Sequence, residues 1–281
     1  MTLVNLKKIL KKANQYSYAV GAFDVLNLEM TTGVLQAAQE TQSPVILAYA
    51  DVFDNLFPME AFVSALRVYA EKVNVPVCIH LDHATRIEVV ERAIKCGFTS
   101  VMIDVSDKDF DENIDMTSKV VSLCRPLNIS VEAELGHVAG NEGMYTNDES
   151  VYTNPDQAFE FVQKTGIDAL AVSVGTVHGV YKSTPILGFE RCKSIKKAVN
   201  GLPLVLHGGS GLSDEDFSNI IACGINKVNI FTDLTLEALE TLKNNDLSGK
   251  KAYYSVSADV ETAIKLATIK KLERFGCIGK A

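Results

Sequence analysis

Short apolar runs recur along the chain, and each is followed by a stretch in which apolar residues return every three to four positions. The first pattern reads as buried strands and the second as amphipathic helices. Eight strands are predicted, at Tyr18 to Phe23, Pro44 to Tyr49, Val77 to Leu81, Ser100 to Ile103, Ser130 to Glu134, Ala169 to Val174, Leu204 to Leu206 and Lys227 to Ile230. Helices are predicted at Glu29 to Gln42, Pro58 to Val73, Arg86 to Cys96, Phe110 to Leu127, Pro155 to Thr165, Phe189 to Val199 and Asp214 to Cys223. Ser213-Asp214-Glu215-Asp216 supplies a capping sequence for the last of these. A first helix is read over Met1 to Lys12, and two more follow the eighth strand, at Leu234 to Lys243 and Asp259 to Phe275.

Strict alternation of strand and helix implies a parallel sheet with its helices outside. Eight repeats favour closure into a (β/α)8 TIM barrel, a single domain over residues 1–281; an open, doubly wound sheet is the alternative. No Gly-, Ser- or Pro-rich linker interrupts the alternation. The longest irregular stretch, Gly136 to Asn154, has the length and composition of a functional lid.

Composition narrows the class without naming a function. Hydrophobic residues at 47% and charged residues at 22% suit a soluble globular chain. A net charge of -8 argues against nucleic acid or an anionic membrane as partner, but not against a phosphorylated small molecule, since a site can be locally positive. No apolar run reaches membrane-spanning length, and the lysine-rich start lacks the apolar core of a signal peptide. The six cysteines are scattered, with no C-x-x-C pair, as expected of buried thiols in a reducing compartment. The expected location is the cytoplasm.

A barrel carries its functional groups at the carboxyl ends of its strands. Polar residues fall there: Asp24 after strand one, Asp82 and His83 after strand three, Asp104 after strand four, Glu134 ending strand five, His178 past strand six, His207 after strand seven, and Asn229, Thr232 and Asp233 at strand eight. Three of the five histidines lie on this rim. Each alone reads as structural. Together, beside carboxylates, they suit a metal with an open coordination position. His80 reads as structural or supporting, facing the same way as Asp82 by the period of two, and His137 as a loop residue. His207-Gly208-Gly209-Ser210-Gly211 and Asn229-Ile230-Phe231-Thr232 sit where barrels bind phosphate, after strands seven and eight.

These motifs, with Leu81-Asp82-His83, Val131 to Gly136, Gly175 to Tyr181 and Lys227-Val228-Asn229-Ile230, resemble the class II, metal-dependent aldolases of the fructose- and tagatose-bisphosphate type. The resemblance covers nearly the whole chain. It implies a zinc ion on His83, His178 and His207, with Asp104 and Glu134 at an alternative or second cation site. It makes Asp82 the acid–base residue and Glu142 a loop residue that moves the proton of the triose enediolate. Gly179, Gly208, Gly209, Ser210, Asn229, Ile230, Phe231 and Thr232 match phosphate- and substrate-binding positions. A ketose phosphate would be cleaved between carbons three and four to dihydroxyacetone phosphate and an aldehyde. No Schiff-base lysine is needed; Lys182, the nearest after strand six, reads as a surface or phosphate-contacting residue. The resemblance also implies a homodimer or homotetramer.

The chain departs from that family on the aldehyde side. The arginine that reaches a distal phosphate has no match in Gly249-Lys250-Lys251-Ala252-Tyr253-Tyr254, and lysine does not reproduce its bidentate contact. Asp24 stands where the family commonly has asparagine, and Ala50-Asp51 where it has serine or threonine at the first position. Two extra carboxylates disfavour a second phosphate. The substrate expected is a ketose 1-phosphate with an altered aldehyde half, with a classical 1,6-bisphosphate as the alternative. Two competing readings are a metal-dependent epimerase or isomerase and a non-catalytic sugar-phosphate-binding subunit.

Overall fold

A computed structural model describes residues 2–138, 151–181, 184–245 and 252–281. Eight parallel strands close on themselves in sequence order, β1 pairing with β8. They are β1 (Val20–Asp24), β2 (Val45–Ala50), β3 (Val77–Ala84), β4 (Ser100–Ile103), β5 (Ser130–Leu135), β6 (Ala169–Val172), β7 (Leu204–Leu206) and β8 (Ile225–Ile230). The strands are buried along nearly their whole length, because helices cover the outside and side chains fill the inside. The closed ring is the expected TIM barrel, not the open sheet.

The chain opens with α1 (Leu6–Tyr16), and each strand is then followed by a helix: α2 (Leu28–Thr41), α3 (Met59–Ala70), α4 (Ile87–Cys96), α5 (Phe110–Cys124), α6 (Pro155–Thr165), α7 (Phe189–Ala198), α8 (Asp214–Ala222) and α9 (Thr232–Asn244), with α10 (Tyr253–Arg274) at the end. The helix starts are legible chemistry. Asn5, Asn27 and Asn154 accept backbone N–H groups at the starts of α1, α2 and α6, and Ser213 forms a capping box with Asp216. The first helix lies later than predicted because Leu3 instead pairs with Val77 in the sheet and Asn5 caps the turn after it. There α1 buries Leu6, Ile9, Leu10 and Ala13.

The last helix begins at Tyr253, six residues ahead of the predicted Asp259. Its start is rich in aromatic, serine and β-branched residues, which hide a helical signal. It packs on α2 through Gly33, where a Cβ would come within 2.7 Å of the Glu261 carbonyl and 2.9 Å of the Ile264 side chain. The absence of a side chain thus sets how closely the two helices approach. Among the described residues no helix is long and apolar enough to cross a membrane.

Candidate active site

Consecutive residues of a strand point to opposite faces, yet Asp82 and His83 both line the barrel mouth. A bulge in β3 explains this. Leu81 pairs with Val101 and Ala84 with Ile103, so two residues of β3 oppose the single Met102 of β4. His83 takes the left-handed conformation, with φ 50. Bulges at barrel rims re-aim side chains, and strained non-glycine backbone gathers at functional sites.

The rings of His83, His178 and His207 meet there. Their centroids are 4.5 Å apart for His83–His207, 5.0 Å for His83–His178 and 5.8 Å for His178–His207. Nδ1 of His83 donates to Asp104 Oδ2 over 2.7 Å, and Nε2 of His207 donates to Glu132 Oε1 over 3.0 Å. Each carboxylate fixes one tautomer and turns the other ring nitrogen into the site. Those two inward nitrogens, His83 Nε2 and His207 Nδ1, are 2.8 Å apart. Nε2 of His178 is buried without a hydrogen-bond partner. Two converging lone pairs and an orphaned imidazole nitrogen fit a divalent metal; without one, a proton must sit between His83 and His207. Accordingly, although burial opposes it, the carboxylates of Asp82, Asp104 and Glu134 push His83 up to about 10. Burial, and then the His83 charge, pull His178 down to about 4 and His207 well below its ordinary value.

Beneath the histidines lies a charged lattice buried in the barrel interior. Lys227 Nζ donates to Glu132 Oε2 at 2.6 Å and to His80 Nε2 at 3.2 Å, while His80 Nδ1 meets Ser100 Oγ at 2.9 Å. Lys227, Glu132 and His80 are fully buried. Lys227 neutralises the carboxylate that holds His207. Asp82 sits above His80, at 3.7 Å from its Nε2, and accepts from Asn229 Nδ2 at 3.0 and 3.2 Å. Burial raises the Asp82 carboxyl, but the imidazoles, His83 first, and Lys227 outweigh it and hold it below the usual range.

A second donor set comprises His83, Asp104 and Glu134, whose ligand atoms all lie within 4.8 Å of one another. Burial, then the charge of Asp104, push Glu134 up to about 8, and its Oε2 has no partner. Asp24 is a third unusual carboxyl. Its Oδ1 is buried and unpartnered, and burial followed by the charge of Asp82 raise it well above the carboxylate range.

Asp24, Asp82, His83, Asp104, His178 and Asn229 open onto one cavity of about 680 Å³, while His207 and Glu134 are buried behind its wall. Gly179, Gly208, Ser210, Asn229, Phe231 and Thr232 line that wall after β6, β7 and β8, where α9 begins. At Gly179, φ is +92 and a Cβ would meet nothing within 4 Å, so its backbone is bare to the cavity. Of the residues expected here, Gly209 and Ile230 are not on the cavity wall. Gly209 backs onto Val228 and Asn229, and Ile230 is wholly buried. Asp24, Ala50, Asp51, Val52 and Phe53 line the cavity after β1 and β2, next to β8 in the ring. Phe53 packs on Phe231 with ring centroids 5.4 Å apart. His137, read from sequence as a loop residue, also lines the cavity and contacts Ser106 Oγ at 3.1 Å. Glu142, Lys182, Lys250 and Lys251 lie outside the described residues.

Sequence reasoning gave no role to Glu132, Lys227, Phe53 or Tyr181. For the first two a signal existed: charged residues two positions from Glu134 and Asn229 in otherwise apolar strands must share their inward face.

An eight-stranded barrel with three histidines and several carboxylates at its carboxyl rim is the architecture of a barrel enzyme with its site at the strand ends. Residues 4–280 match the family of class II fructose-bisphosphate aldolases. The chain is 43% identical to the protein YdjI of Escherichia coli K12 over 273 residues, 96% of each chain. It is 39% identical to fructose-bisphosphate aldolase of Geobacillus stearothermophilus over 286 residues, 100% of this chain and 99% of that one. Among solved structures, the YdjI aldolase superposes with a TM-score of 0.89 at 39% identity over 99% of each chain. Fructose-bisphosphate aldolase of Campylobacter jejuni superposes at 0.85 and 25% identity, over 99% of this chain and 97% of that one. The chain belongs to the class II fructose-bisphosphate aldolase family and is an aldolase, a carbon–carbon lyase.

Proposed function

We propose that this aldolase cleaves a ketose 1-phosphate to dihydroxyacetone phosphate and an aldehyde that carries no phosphate near the reacting carbons. The observation that carries this reading is the lining of the cavity: the bare backbone of Gly179 with Ser210, Asn229 and Thr232 after β6 to β8, and the carboxyls of Asp24 and Asp51 after β1 and β2. A second phosphate placed there would meet the Asp51 carboxylate and, at Asp24, a buried carboxyl that offers no positive charge. Names among the relatives favour a second reading, a 1,6-bisphosphate substrate, since the Geobacillus protein is a fructose-bisphosphate aldolase.

His83, His178 and His207 would hold the metal, with Asp104 and Glu132 fixing the ring orientations. Three imidazoles favour zinc. The bound ion supplies Lewis acidity, which lowers the cost of negative charge developing on a carbonyl oxygen. Asp82, held as a carboxylate and oriented by Asn229, takes the proton from the carbon-four hydroxyl as the bond to carbon three breaks. Gly179, Ser210, Asn229 and Thr232 anchor the triose phosphate end, so that the reacting bond is presented to Asp82. Glu142 is the proposed group that returns a proton to carbon three. Asp104 and Glu134, sharing His83, are proposed as a second cation site. We place the protein in the cytoplasm as a homodimer or homotetramer, as in the resemblance.

The test is a panel of ketose 1-phosphates and 1,6-bisphosphates assayed for triose phosphate release. Turnover of one or more 1-phosphates with weak turnover of fructose and tagatose 1,6-bisphosphate is expected. Efficient cleavage of the bisphosphates and none of the 1-phosphates would establish the second reading. An epimerase would leave chain length unchanged and release no triose phosphate.

A further inference from the structure

We propose that Tyr181 is a positioning residue for the three-histidine centre, its hydroxyl tying the loop that carries His178 to the loop that carries His207. The inference rests on the metal reading above and adds to it how the third histidine is held.

His83 and His207 are each oriented by a carboxylate on the far nitrogen. Among the described residues no carboxylate is hydrogen-bonded to His178, and its Nε2 has no partner. The position of this ring therefore depends on its backbone. That backbone has left the sheet: β6 ends at Val172, and its last pairing with β7 is Ala171 with Val205. His178 lies six residues past the strand end, where no ladder holds it.

Tyr181 takes the place of the missing ladder. Its hydroxyl donates to the carbonyl of Gly208 at 2.8 Å and accepts the N–H of Val177 at 3.3 Å. Val177 immediately precedes His178, and Gly208 immediately follows His207. One oxygen thus joins the backbones flanking two of the three imidazoles. The glycines permit this approach. A Cβ at Gly208 would lie 2.4 Å from the Val177 carbonyl oxygen, and one at Gly211 would lie 3.1 Å from the Tyr181 ring. Removing the hydroxyl leaves the ring packing intact but cuts both hydrogen bonds, so His178 is freed relative to His207. Groups that orient metal ligands typically contribute ten- to a hundredfold in metal affinity.

The experiment compares wild type with Tyr181→Phe, both stripped by chelator, by zinc competition against a chromogenic chelator and by the visible spectrum of the cobalt-substituted protein. The variant is expected to bind zinc roughly ten- to a hundredfold more weakly, to show an altered cobalt spectrum, and to regain most of its kcat at saturating zinc. Wild type that binds zinc, with Tyr181→Phe matching it within about threefold and giving the same spectrum, overturns the inference alone. Wild type that takes up no zinc overturns the metal reading, and this inference with it. Should the variant fail to fold, amide exchange in the wild type decides: the Val177 N–H is expected to be protected, and exchange at the rate of an open loop overturns the inference.

Discussion

Nε2 of His83 and Nδ1 of His207 face each other at 2.8 Å, and the opposite nitrogen of each ring rests on a carboxylate. The arrangement converges two imidazole lone pairs on one point, where either a proton or a metal ion must lie. Most of the behaviour expected of the site follows from that choice.

Metal-free protein should lose stability as pH rises from about 6.5 to 8. His83, raised to about 10 in the fold against an ordinary value of 6.5, binds a proton that the unfolded chain releases across this window. Glu134, raised to about 8, acts in the same direction. Stability from a raised group is present below its unfolded pKa and fades through its folded one, at about 1.4 kcal/mol per pH unit for each proton. His178 and His207, lowered in the fold, work oppositely but only below 6.5. Zinc displaces the His83 proton, so the zinc-induced rise in melting temperature should grow across the same interval. Thermal melts with and without chelator at pH 6.5, 7.2 and 8 check both slopes; a flat metal-free curve speaks against the shared proton.

Asp82→Ala should reduce cleavage by roughly 10²- to 10⁴-fold, the usual size of a lost acid–base group. Zinc content should be unchanged, because Asp82 lies against Asn229 and above His80 and is not among the converging nitrogens. Metal analysis beside steady-state rates separates the two effects. Full activity in the variant would remove Asp82 from the role given to it.

Lys227→Met should destabilise the fold by about 3–5 kcal/mol, since it leaves the fully buried Glu132 carboxylate without its cation. Glu132→Gln combined with Lys227→Met should cost less than the sum of the two single changes. Denaturant unfolding of the four proteins gives the coupling. Strict additivity would mean that the pair at 2.6 Å does not act as a unit.

Asp51→Asn should raise kcat/KM for fructose 1,6-bisphosphate by about tenfold, the equivalent of about 1.4 kcal/mol of relieved repulsion, whereas Asp24→Asn, at a carboxyl already raised well above the carboxylate range, should change it little. The Asp51 change should leave a ketose 1-phosphate as good a substrate or make it a poorer one. An equal gain for both substrates in Asp51→Asn would show that this carboxylate does not discriminate against the second phosphate.

Much of this design is legible in the sequence because its signals are local. The strand–helix alternation, the capping residue Ser213, and the strand-end positions of Asp82, His178 and His207 all follow from short-range patterns. The β3 bulge is not local: it exists only in the pairing of Leu81 and Ala84 with β4, so the inward turn of His83 could not be read from its strand alone. The Lys227–Glu132 pair spans 95 residues, and the Phe53–Phe231 contact links the loops after β2 and β8, which flank β1 only because the barrel closes. Helix boundaries slipped where tertiary contacts override propensity, as at Leu3, which joins the sheet in place of extending α1.

Solvent deuterium wash-in at carbon three of dihydroxyacetone phosphate tests the central claim most directly, because it needs the metal and the triose-phosphate half but no knowledge of the aldehyde. Exchange catalysed by the zinc-loaded protein, abolished by chelator or by His207→Ala and restored to the chelated wild type by zinc, is the expected result. Exchange no faster than in buffer, or exchange that persists after zinc is removed, would contradict the assignment of His83, His178 and His207 as a catalytic metal centre.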